Sequence, residues 1–145
     1  MDSRIKEVVN YLSFQRIDNT PVRKLSIARV IYMVYLSDWK SALEQGRQLT
    51  SIKWNGLLEV PADQYEIIKE TIKEDEKLKE FVTLSETDKK ILDHVIESVA
   101  DLSWFKVQEI ANSTYPLFKY TDNQKLDLLQ LAKEKKEMAE RKLVS

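Results

Sequence analysis

The residues from Lys24 to Thr50, KLSIARVIYMVYLSDWKSALEQGRQLT, constrain this chain more than any other stretch. Leu25, Ala28, Ile31, Tyr32, Tyr35, Trp39, Ala42 and Leu43 recur at helical spacing and share one face. Val30, Met33, Val34 and Leu36 widen that face until little of the middle is polar. A helix apolar nearly all round needs neighbours on several sides. The spacing therefore predicts a central helix over about 24–45, with Trp39 in its buried stripe. Pro21 sets φ ahead of it, and Gly46 supplies a left-handed turn behind it. The unbroken apolar run Val30 to Leu36 is far shorter than the ~20 residues a bilayer requires.

Elsewhere the pattern stays helical with one interruption. Ile5, Val8, Val9 and Leu12 form an inner face behind a Ser3 cap, and a polar break runs from Ile17 to Pro21. After Gly46 the period drops to two, and Asn55-Gly56 separates two short runs, which predicts a small β-hairpin over about 48–60 with Trp54 as its anchor. Asp63 with Glu66 reads as a capping box, Ser85 and Asp88 open a helix, Ser103 caps the next, Tyr115-Pro116 stops it, and Asp122 opens the last. The expected fold is mainly α: a helical domain over 1–132 around the central helix, followed by a charged helical tail over 133–145.

With 23 basic and 24 acidic residues, the chain has no overall pull toward nucleic acid or an acidic membrane. The absence of cysteine removes disulfides, thiolate metal sites and cysteine nucleophiles. No charged, apolar and small-residue succession marks a signal peptide, so the cytoplasm is the expected compartment. His94, the single histidine, sits among Asp93, Glu97 and Asp101 on a polar helix side and reads as a surface residue. Glu74, Asp75 and Glu76 lack the spacing and turn glycine of a calcium loop. No cofactor site and no enzymatic constellation are expected. The helices 86–99 and 103–113 have helix-turn-helix proportions, but the second is mainly apolar, with Lys106, Gln108 and Asn112 offset by Glu109. That argues against DNA reading.

Several of these landmarks occur in a family order. Tyr35-Leu36-Ser37-Asp38 resembles a Tyr-x-x-Asp ending of an aliphatic helix, and Gly46 with Leu49-Thr50 resembles a Gly followed by a hydrophobic-Thr step into a strand. Leu84-Ser85 through Ile91-Leu92 and Val95, then Asp101-Leu102-Ser103 and Tyr115-Pro116, resemble a later helix start and a closing helical pair. On these residues the chain is similar to the Panacea domain family, the SocA-like antitoxins, over roughly 23–120. Where family members commonly carry a Tyr-Gly-Pro-like segment, this chain has Trp54-Asn55-Gly56-Leu57 and then Pro61.

The resemblance implies a prophage- or mobile-element-associated antitoxin that neutralises a protein toxin by binding it, by masking or by delivery to a protease. A protease and a second copy of the chain are the further partners this allows; a DNA-binding regulator and a phage adaptor of the same fold are the competing readings. The expected toxin surface is the hairpin with the adjoining end of the central helix: Asp38, Arg47, Lys53, Trp54, Leu57 and Leu58, an apolar centre within charges of both signs. The helix from Asp63 to Lys79 and the segment 103–120 are the other places for it.

Overall fold

The computed structural model describes residues 3–14, 25–74, 77–99, 101–120 and 122–144. Seven helices form among them: α1 (Ser3–Ser13), α2 (Ile27–Gln45), α3 (Ala62–Lys73), α4 (Glu86–Val99), α5 (Trp104–Ser113), α6 (Tyr115–Lys119) and α7 (Leu128–Val144). The expected break at 17–21 with Pro21, and the acidic Asp75 and Glu76, lie outside the described residues. No helix among the described residues is long and apolar enough to cross a membrane.

The apolar girth of α2 has the predicted consequence. α1, α3, α4, α5 and α7 all pack on it. Val30, Met33, Val34, Tyr35 and Trp39 are buried against Ile5 and Val9 of α1, Leu92 and Val95 of α4, Val107 and Ala111 of α5 and Leu128 of α7 within one core. Ser26 starts α2 by accepting a hydrogen bond from the Arg29 amide at 3.2 Å. Gly46 ends it in the left-handed region, with φ of 71°. Ser85 and Asp88 open α4 reciprocally: the Ser85 hydroxyl accepts from the Asp88 amide and the Asp88 carboxylate from the Ser85 amide, both at 3.0 Å. The Ser103 hydroxyl caps α5 on the Lys106 amide at 3.2 Å.

Two local expectations fail for identifiable reasons, and a third holds with an addition. Pro61, not Asp63, stands at the N-cap of α3, and no side chain caps it, because a proline ring carries no acceptor. Asp63 falls in the first turn, where its charge faces the helix dipole. α5 ends at Ser113, ahead of Tyr115-Pro116 as expected, but the helical course then resumes. Thr114 breaks it, and Pro116 sits in the opening turn of α6, where its missing N–H has no helical partner to lose. Asp122 makes only a turn by accepting the Gln124 amide at 2.9 Å. Asp127 opens α7 by accepting the Gln130 amide at 3.1 Å.

The expected hairpin over 48–60 is not formed, and no sheet occurs among the described residues. A two-residue Asn-Gly hairpin turn of the favoured kind needs positive φ at both central residues. Here neither Asn55 nor Gly56 has it; Leu58 does, with φ of 54°. The Asn55 side-chain oxygen accepts the amides of Leu57 and Glu59, both at 3.0 Å, and curls the chain into a loop instead of returning it. The first arm pairs with the approach to α7. Asn55 forms an isolated antiparallel bridge with Lys125, the Leu126 amide donates to the Trp54 carbonyl at 2.9 Å, and the Gly56 amide donates to the Gln124 carbonyl at 3.1 Å.

Gly56 is needed for this contact rather than for its φ. A Cβ there would collide with the backbone carbonyl oxygens of Tyr120 and Asp122. Gly56→Ala is therefore expected to destabilise the fold by about 1–3 kcal/mol, the usual cost of overpacking. Urea denaturation measures this; an unchanged midpoint would mean that Tyr120 and Asp122 are not held against residue 56.

Candidate functional site

The predicted site residues divide by burial. Asp38, Trp54 and Leu58 are buried in the core, and Arg47, Lys53 and Leu57 are exposed. The six do not form one surface, because Asp38, Trp54 and Leu58 are turned into the interior.

Asp38 is fully buried on α2. A carboxylate in that position is costly unless several donors meet it, and the segment after Gly46 supplies them. The Thr50 amide donates to Oδ1 at 2.9 Å, and Oδ2 accepts from the Thr50 hydroxyl at 2.6 Å, the Trp54 indole N–H at 2.9 Å and the Gln48 amide group at 3.3 Å. The same Gln48 nitrogen donates to the carbonyls of Thr50 and Ile52. Burial pushes the Asp38 carboxyl up, the bonds from Thr50 and Trp54 pull it back, and it settles at about 6.

Tyr35, one turn earlier, reaches the other way. Its hydroxyl lies 2.7 Å from the Thr114 hydroxyl between α5 and α6, and its ring meets Trp54 edge-on at 5.5 Å. Tyr35-x-x-Asp38 thus holds two non-helical joints from one helix: Thr114 on one side, 48–54 on the other.

Arg47 belongs to a second polar tie. Its guanidinium donates to Asp88 Oδ1 at 2.9 Å, where Gln45 also donates at 3.0 Å, while Arg4 bonds Oδ2 at 3.2 Å and the carbonyl of Leu49 at 2.7 Å. Burial raises the Asp88 carboxyl, but bonds from Gln45, the Ser85 amide and Arg4, with the charge of Arg47, outweigh it and hold the group at about 2. The tie joins α1, the end of α2 and the start of α4.

Exposed aromatic side chains lie on α5 and α6. α5 buries Val107 and Ala111, which leaves Phe105 on the opposite side, 66% exposed. Phe118 of α6 is 78% exposed. The two line one shallow depression with Gln108, Glu109, Asn112 and Ser113. Trp104 is partly exposed beside them and packs edge-on against Tyr32 at 4.8 Å. Of the three tryptophans, Trp39 and Trp54 are core and only Trp104 reaches the surface. Lys106, a candidate phosphate contact in the DNA reading, is paired with Glu109 at 3.1 Å. Sequence reasoning missed Phe105 and Phe118 as a pair; the available signal was that Phe105 falls out of phase with Val107 and Ala111.

A helical domain whose central helix clamps a following extended segment through a buried carboxylate is the arrangement defined here. The model of the antitoxin SocA-like Panacea domain family matches residues 31–116, a span that holds Asp38, Thr50 and all of α5, and the chain belongs to that family. No curated protein and no solved structure matches it.

Two outcomes follow from the polar ties. Asp38→Asn turns one acceptor into a donor that faces the N–H of Thr50 or of Trp54, so thermal unfolding should register a loss of about 2 kcal/mol or more. The second concerns pH. The Asp88 carboxyl lies below its ordinary 3.8 in the folded chain, so its stabilisation is present above pH ~4 and lost as pH falls toward 2. Asp38 has the opposite sign: its raised value favours the folded state increasingly as pH falls from about 6 toward 4. Asp88→Asn should lower stability at pH 7 and flatten the loss between pH 4 and 2; an acid limb as steep as that of the parent would show that other carboxylates govern it.

Proposed function

We propose that this protein is an antitoxin that acts by contact, without catalysis, and that it neutralises a protein toxin through the α5–α6 face. The observation that carries this is the pair Phe105 and Phe118, two aromatic side chains left largely in water at one depression of a chain that belongs to an antitoxin family. Large exposed aromatics that converge on one place favour a partner surface. Gln108, Glu109, Asn112 and Ser113 give them a polar surround, the composition of an interface centre with its rim. The hairpin-centred surface loses support because Trp54 and Leu58, its intended apolar centre, are core residues. Masking of the toxin is the simplest action for such a face. A prophage or mobile-element origin and the cytoplasm as the place of action accompany this reading.

The regulator reading is weaker. The outward side of α5 carries Phe105 and Glu109, and Glu109 engages Lys106. A groove-reading helix needs free donors for phosphates and base edges there.

The test is to express the reading frames adjacent to this gene and to score which toxicity the protein neutralises in cells. Phe105→Glu with Phe118→Ser should abolish toxin rescue and co-purification, while the melting temperature moves by no more than the small change typical of surface substitutions. Full rescue by a folded double variant would remove α5–α6 from the interface.

A further inference from the structure

The outward face of α5 is set by helical spacing. Phe105, Gln108, Glu109 and Asn112 stand at i, i+3, i+4 and i+7, away from the buried Val107 and Ala111. Phe118 of α6 joins them around one depression of about 490 Å³. Its wall has a definite chemistry. Two aromatic rings with electron-rich faces stand largely in water, and neither meets another ring among the described residues. Glu109 contributes a carboxylate, and Gln108 and Asn112 contribute carboxamide oxygens. Among the described residues, no cation lines the depression. The lysines that follow each phenylalanine in sequence are engaged: Lys106 pairs with Glu109 Oε2 at 3.1 Å, and Lys119 turns to Glu134 of α7 at 3.1 Å.

We infer that this depression seats an arginine side chain presented by the protein partner, its guanidinium stacked on Phe105 and Phe118 and paired with Glu109. The inference rests on the reading of α5–α6 as the partner face and names what that face takes. An apolar plug would fill the space but leave the carboxylate and both carboxamides without donors, at a desolvation cost. An anion would meet Glu109 with like charge. A lysine ammonium is a compact, strongly hydrated charge with no flat face to lay on a ring. A guanidinium is flat, weakly hydrated and carries five N–H donors in one plane, so it lies on a ring while it donates to Glu109 and the carboxamides. The Lys106–Glu109 pair does not bar it. Both side chains are more than half exposed, the bond uses one carboxylate oxygen of two, and an exposed pair of this kind holds its carboxylate weakly.

The probes are N-acetyl amides of single amino acids titrated onto the intact protein, with the ring signals of Phe105 and Phe118 followed by NMR. The arginine amide should shift both rings along saturable curves. The citrulline amide, which keeps the shape without the charge, should bind roughly fivefold more weakly, the fold-change of one exposed charge–ring contact. The lysine and leucine amides should also bind more weakly than arginine. Glu109→Gln should weaken arginine binding roughly threefold, as for a screened ion pair, and leave leucine binding unchanged. A citrulline or leucine amide that binds as tightly as the arginine amide, ring signals that no amide shifts, or an arginine affinity untouched by Glu109→Gln would each overturn the site. The comparison of amides uses the parent chain alone, so it holds whether or not the variant folds. The rescue assay reads a separate claim. Arginine-selective binding with full rescue by the Phe105 and Phe118 double variant would move the toxin elsewhere and leave the seat standing; lost rescue without arginine selectivity would keep the face and remove the arginine.

Discussion

The Asp38 carboxylate is the interaction on which the rest of this structure depends. A charge buried in a helical core has to be met by donors, and α2 cannot supply them, since its own amides are used along the helix. The chain beyond Gly46 does so, and in doing so it gives up both helix and hairpin. Thr50 bonds Asp38 twice, and Trp54 reaches it with the indole N–H. Once Trp54 is drawn in, its ring rests on Tyr35 and its carbonyl takes the Leu126 amide, so the approach to α7 is positioned by the same contact.

Polar groups are spent on the interior in the same way around Asp88. Two arginines and a glutamine converge on one carboxylate that also caps α4. Residues that look like a charged rim in the sequence thereby become struts between α1, α2 and α4. The α5–α6 face offers aromatic area, which rewards shape.

Much of the fold was legible because it followed from periodicity. The all-round apolar middle of α2 required a central helix, and Ser85, Ser103 and Gly46 act as the caps their types suggest. The family was legible too, from Tyr35, Asp38, Gly46 and Thr50 in order, and these residues prove to be parts of the clamp and its turn. The expected functional surface was less so. Trp54 and Leu58 beside a turn resemble an exposed apolar tip, and nothing in their local spacing says that a carboxylate sixteen residues earlier draws the indole inward.

The sequence by itself determined the helical class, the central helix, its ends and the family, since each rests on residues within a few turns of one another. Only the tertiary structure decided the course of 48–60. Asn-Gly favours a return of the chain on itself, a local preference. The competing interactions, with Asp38 on one side and with Gln124 and Leu126 on the other, join residues far apart, and together they outweigh it. The exposure of Phe105 and Phe118 was settled in the same manner. Which side of α5 meets α2 is fixed by the packing of Val107 and Ala111, and whatever lies opposite is left in water.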